Sequence, residues 1–268
     1  MPSPSAPELT LQFDRPWFPG VAERLVTSAL SARGLTPTGY RTHAWIDGAP
    51  VGLRATGLLE DPPPSLIERY AAMGLQFAEH PDTDGRALLE AAWTALDQVA
   101  DVGSAVTALV RAIHVLTSRG VGYDVSHSDP ELPCSIFLSL PVGEPHARLR
   151  TAESILHEAM HLQLTLIEAE HPIVRSTSAT QFSPWQRRDR PISGIVHGLY
   201  VFAVIDAYMA EMLAQRDMPD RAANYMRKRR REIAEEISAV SQVAGHADLT
   251  VFGRTFVDGL LSRSGAAP

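Results

Sequence analysis

Apolar residues at Val21, Leu25, Val26, Ala29 and Leu30 recur at helical spacing, so the pattern predicts an amphipathic helix over 21–32. The first twenty residues are rich in proline and serine and read as a flexible N-terminal tail, 1–20. A strand is expected in YRTHAWID, 40–47, and the prolines 62–64 then interrupt regular structure, with Ser65 placed to cap a helix from Leu66. Segments 85–100 and 105–118 both read as helices, parted at 101–103 and ended by Arg119-Gly120. The run 134–140, CSIFLSL, favours β structure and is the best strand in the chain.

Beyond it the texture is helical. Helices are predicted over 151–168, 192–215 and 221–243, with a polar loop from about 170 to 190. The expected fold is mainly α (α+β): a helical domain carrying a metal-binding His-Glu-x-x-His helix, with a small β-sheet. A mostly helical N-terminal region, 21–120, would form a subdomain of its own, followed by a metal-binding catalytic region, 121–262. No fixed-period repeat and no glycine-rich phosphate loop is present.

The composition is that of a globular protein, with 45% hydrophobic and 21% charged residues over 268 positions. A net charge of −7 argues against a broad nucleic-acid footprint. The one basic run, Arg227 to Arg231, precedes Glu232, Glu235 and Glu236 and reads as a solvated helix face. Cys134 is the only cysteine, which excludes an intrachain disulfide and a thiolate metal cluster. The N-terminus lacks a basic segment followed by an apolar one, and the apolar stretch 194–213 carries His197, Asp206 and Glu211. Both features lead to the expectation of a cytoplasmic protein with no membrane partner.

The chemistry concentrates in ESILHEAMHLQL, 153–164. His157 and His161 lie one helical turn apart, so their rings project about 40° apart with roughly 6 Å of rise and can share one ion. Ile155, Leu156, Met160, Leu164 and Ile167 supply an apolar face that would hold such a pair in place. A metal site needs a third protein ligand and open positions for water or substrate. His197, in GIVHGLYVFAVIDAYM, is the strongest candidate, flanked by Gly194 and Gly198, which would allow close helix approach. Glu211 lies too far along the same helix to act with it, His171 is a weaker alternative, and Glu168 reads as a surface residue three turns from His157. Glu158 separates two chemistries: general base in a zinc peptidase, or a group that orients water, a ligand or substrate in an iron oxygenase. Arg187, Arg188 and Arg190 stand close before His197, where a guanidinium suits a carboxylate held near a metal.

Three segments taken in order, HSDPELPCSIFLSLP, ILHEAMHLQL and SPWQRRDRPISGIVHGLYVF, resemble the HExxH-motif peptide-modification proteins encoded near ribosomally made natural-product peptides. The resemblance covers roughly 120–215. Members of that family are understood as iron-using, 2-oxoglutarate-dependent peptide β-hydroxylases. The resemblance therefore implies His157, His161 and His197 in the metal centre and Glu158 in its immediate surroundings. It further implies an arginine anchoring the oxoacid, Arg190 first and Arg188 next.

Three functional expectations follow. The first is an Fe(II)/2-oxoglutarate oxygenase hydroxylating Cβ of a residue in a peptide. The second is a zinc hydrolase with Glu158 as base. The third is a non-catalytic helical binding module.

Overall fold

The computed structural model describes residues 9–32 (except 10 and 19), 58–59, 64–78, 81–129, 134–176, 178–215 and 217–263. The strand expected at 40–47 and the side chain of Ser65 lie outside the described residues. Among these, eight α-helices surround a small sheet and a separate two-stranded hairpin, so the mainly helical α+β reading holds.

Helix α1 spans Val21–Ala32, as its periodicity requires. Strand β1 is Leu58–Leu59, and α2, Pro64–Ala72, opens on a proline, whose fixed φ and missing N–H suit a helix start. Helix α3, Thr83–Asp97, is capped by Asp82, whose carboxylate accepts from the Gly85 amide at 2.9 Å. Helix α4 follows at Val102–Leu109 and stops eight residues in, because Val110 turns extended.

The helix expected over 105–118 is corrected in its second half, where Ala112–Leu116 is strand β2. Its apolar positions satisfy helical spacing, but tertiary pairing overrides local pattern. Arg111 and Ala112 donate to the Cys134 carbonyl, and β2 then runs parallel to β4, Ser135–Ser139, from Ala112↔Ser135 to Leu116↔Ser139. Both strands are buried on both faces, which is why three consecutive apolar residues, Ile136, Phe137 and Leu138, form the centre of β4. The strand order is β1-β2-β4-β3, with β1 a two-residue edge and β3, Ser126–Ser128, antiparallel to β4 at the other edge.

Helix α5, Ala147–Glu170, carries the His-Glu-x-x-His motif and packs on α3, α4 and the sheet. The polar loop expected at 170–190 contains a hairpin, β5 (Thr180–Ser183) against β6 (Arg188–Pro191). It delivers the chain to α6, Ile192–Leu213, which is apolar all round and buried. This helix is long and apolar enough to cross a bilayer, yet 72% of that window is buried inside the fold, as expected for a core helix. Helix α7, Asp220–Val240, and a final helix not foreseen from sequence, α8 (Val251–Arg263), close the structure.

One continuous core runs from Trp17 to Leu261. It includes part of the segment expected to be a flexible tail, which is therefore corrected over 11–18: Trp17 and Phe18 are buried. The physical reason is a set of anchors on the back of α5 and α6. Phe18 stacks on Tyr200 at 5.8 Å, Tyr200 donates to the Pro16 carbonyl, and Gln163 donates to both the Trp17 carbonyl and the Tyr200 hydroxyl.

Candidate active site

Helices α5 and α6 bring together the three histidines that the sequence places apart. His157 and His161 sit one turn apart with ring centroids 4.8 Å apart, and His197 of α6 stacks on His161 at 5.4 Å. His161 Nδ1 and His197 Nδ1 are 3.2 Å apart. His197 Nε2 lies 2.8 Å from Glu168 Oε2, so a hydrogen bond there has the imidazole donating to the carboxylate. The reading of Glu168 as a surface residue is thereby corrected. Three turns after His157 on a straight helix, it returns to the motif face and meets His197 as α6 crosses.

The three histidines line a cavity of about 680 Å³ shared with Glu158, Arg188 and Arg190. Its other walls are β3, through Ser126, His127 and Ser128, and the aromatic pair Trp185 and Phe202. Glu158 is nearly buried and its Oε1 stands 3.8 Å from His157 Nε2, beyond hydrogen-bond reach. His157 is half-buried and lines the cavity. Burial first, and the Arg229 guanidinium second, push it down to about 4. His161 is pushed down to about 3, by burial first and then by His157, while Glu158 works in the opposite direction. Both rings are neutral at pH 7, the form that ligates metal.

Does this donor set fit a metal? Two imidazole nitrogens bound to one ion at about 2.0–2.1 Å stand roughly 2.8–3.4 Å apart for right-angled to tetrahedral geometry, and the His161–His197 pair at 3.2 Å falls within that range. Glu168 on the far nitrogen of His197 is the usual carboxylate support for a ligating histidine. No group of three His, Cys, Asp or Glu side chains among the described residues converges on one point, however. His157 packs edge-on against Phe202 at 5.4 Å. The residue types fit an ion of the His₃ kind, and completing the set requires side-chain rearrangement.

The arginines divide. Arg187 lies in the hairpin turn at φ 52 and is exposed, outside the cavity wall. Arg188 and Arg190 alternate with Asp189 along β6, so both face the cavity and both donate to Gln186 Oε1, at 3.1 and 3.5 Å. No carboxylate among the described residues pairs with either. The basic run of α7 is less solvated than expected. Arg229 bonds Glu153 of α5 at 2.8 Å and lies over the Phe202 ring, and Arg230 bonds Asp206 of α6 at 2.7 Å. Opposite charges on adjoining helices draw these two members inward.

Gly194 and Gly198 were expected to let helices approach, but they seat the hairpin instead. A Cβ on Gly194 would sit 3.2 Å from Arg190 Nε, and one on Gly198 would sit 2.4 Å from the Trp185 ring. Trp185 stacks on Phe202 at 5.1 Å, and Phe202 meets His157 edge-on at 5.4 Å. Gly198→Ala is expected to displace Trp185 and cost about 1–3 kcal/mol through overpacking. Urea unfolding measures the loss, and an unchanged midpoint would show that Trp185 yields freely.

Proton linkage provides a second test on metal-free protein. His157 and His161 titrate lower in the folded chain than in the unfolded one, so between about 6.5 and 4 the unfolded chain binds more protons. Stability therefore rises with pH in that window and falls as acid is added. The thermal midpoint is expected to drop between pH 6.5 and 5, and His157→Asn with His161→Asn is expected to flatten that slope. An equal slope in the double variant would assign the effect elsewhere.

Sequence reasoning missed Glu168, His127 and Gln186 as members of this site. The signal for Glu168 was its helical phase, while His127 and Gln186 carried none in the local pattern. No family model matches the chain, and no curated protein sequence matches it.

Proposed function

We propose that the protein is an Fe(II)- and 2-oxoglutarate-dependent oxygenase that hydroxylates a Cβ position in a ribosomally made peptide. The observation that carries this reading is one cavity in which the imidazoles of His157, His161 and His197 stand with two guanidiniums, Arg188 and Arg190, that have no carboxylate partner among the described residues. An oxoacid co-substrate requires a carboxylate receptor beside its metal, and a guanidinium pair supplies one. The resemblance of the 120–215 region to peptide β-hydroxylases supports the same reading.

His157, His161 and His197 would hold the ion. Iron(II) bound there supplies the redox chemistry by which 2-oxoglutarate and O₂ become succinate and CO₂ while C–H becomes C–OH. Glu168 holds the His197 ring by its outer nitrogen and so sets which nitrogen faces inward. Arg190, with Arg188 beside it, receives the distal carboxylate of the oxoacid, and Gln186 keeps both guanidiniums in place without neutralising them. Trp185 and Phe202 close one wall with apolar surface and limit water. Glu158, nearly buried at the cavity floor, orients water or substrate.

One observation favours zinc hydrolysis instead: Glu158 lines the cavity directly after a ligand histidine, where a general base would stand. Glu158→Gln separates the two. After anaerobic loading with Fe(II), the oxygenase is expected to form succinate from 2-oxoglutarate on admission of O₂, and the variant is expected to keep its metal and measurable succinate formation. General-base help is worth about 10²–10⁴-fold, so a zinc-loaded protein that cleaves peptides, and loses that activity by this factor in the variant, would replace the oxygenase reading with the hydrolase.

A further inference from the structure

Strand β3 ends the sheet, and its outer side faces the cavity. The Val125 carbonyl accepts from the Ser139 amide at 2.8 Å, which makes Val125 and Ser139 a bonded pair in the antiparallel ladder. Bonded and non-bonded pairs alternate, so His127↔Phe137 is the next bonded pair, while Ser126 and Ser128 turn their N–H and C=O groups away from β4. Among the described residues no strand pairs with them there. Both serines and His127 are half-buried and line the same cavity as His157 and His161.

We propose that the substrate peptide binds as an extended strand added to the outer edge of β3, so that the enzyme holds its backbone and reads alternate side chains. This rests on the reading of the protein as a peptide-modifying enzyme. The occupant follows from the chemistry of the edge. Outward N–H and C=O groups repeating every second residue, about 6.8 Å apart, match another extended backbone and no small molecule of comparable size. Short serine side chains at both outward-bonding positions keep the approach open. Since side chains of a strand alternate between faces, only every second residue of the bound peptide would turn toward α5 and the histidines. Hydroxylation would then be confined to one parity of positions around the paired segment.

The test uses the full chain and peptides selected from a displayed library of random dodecapeptides, followed by an N-methyl scan of the best binder. An N-methyl group removes the donor of one ladder hydrogen bond and also blocks approach of the strand edge. Methylation at two positions separated by one residue is therefore expected to weaken binding at least about tenfold, while methylation of the residue between them changes it less than about twofold. Exchange of the Ser126 and Ser128 amides with deuterium is expected to slow when the peptide binds. Ser128→Pro removes one outward donor at an edge position where proline is tolerated, and a similar loss of affinity is expected. If that variant fails to fold, the scan on the unaltered chain still decides.

A flat scan, a library without binders, or Ser126 and Ser128 amides already protected in the free chain would each overturn the proposal. Binding is read without turnover, so the two readings fail separately. Alternating N-methyl sensitivity without succinate formation would defeat only the oxygenase. Coupled hydroxylation with a flat scan would defeat only the docking mode.

Discussion

His161→Ala is expected to reduce bound Fe(II) from one per chain to a level that dialysis removes. His161 is the central member of the cluster, 4.8 Å from the His157 ring and with its Nδ1 3.2 Å from that of His197. Removing it leaves two imidazoles on different helices without the one that faces both, too few to compete with water and buffer. His197→Ala is expected to behave likewise. Glu168→Gln keeps the ring in place but weakens its support, and a loss of about 10–100-fold in metal affinity is expected. Metal content after equilibrium dialysis and competition with a chelating dye measure all three, with circular dichroism to verify the fold. Full metal occupancy in His161→Ala would move the site elsewhere, and unchanged affinity in Glu168→Gln would reduce that contact to packing.

The double variant Arg188→Ala and Arg190→Ala is expected to raise the 2-oxoglutarate concentration for half-maximal succinate formation by about 10²-fold or more, with metal content unchanged. Hydrogen bonds to charged groups contribute about 1.5–3 kcal/mol each, and about 1.4 kcal/mol is tenfold in affinity. Each single variant is expected to show a smaller effect, since Gln186 can present the remaining guanidinium to the same carboxylate. Arg187→Ala is the control, because that side chain lies outside the cavity wall. A double variant with unchanged half-saturation would remove the carboxylate receptor, and with it the observation on which the oxygenase reading stands.

Several features of the site depend on contacts that no local pattern encodes. Glu168 shares the motif face by helical phase alone, yet its phase is equally that of a solvated residue. What turns it into a partner is the crossing of α6, which delivers His197 Nε2 to 2.8 Å. Gly198 looks like a packing position between helices, but its missing Cβ is filled by Trp185, a side chain thirteen residues earlier on a hairpin that the polar composition of 170–190 conceals. The segment 105–118 has apolar spacing compatible with either structure. The strand at 112–116 exists because β4 offers it a parallel partner, and parallel pairing is by nature long-range.

The sequence by itself determined the elements whose signal is local: α1, the motif helix α5, the apolar helix α6 and strand β4, each marked by an uninterrupted periodicity or apolar run within one segment. It also determined which residue types were available for chemistry, since a helix places His157 and His161 on one face wherever that helix packs. Only the tertiary structure decided that His197 meets His161, that Arg188 and Arg190 but not Arg187 face them, and that the Trp17–Phe18 segment belongs to the core. The reason is physical. Helical phase follows from dihedral angles repeated along one segment, whereas the meeting of two helices, a hairpin and a sheet edge follows from burying their apolar faces together, which depends on all of them at once.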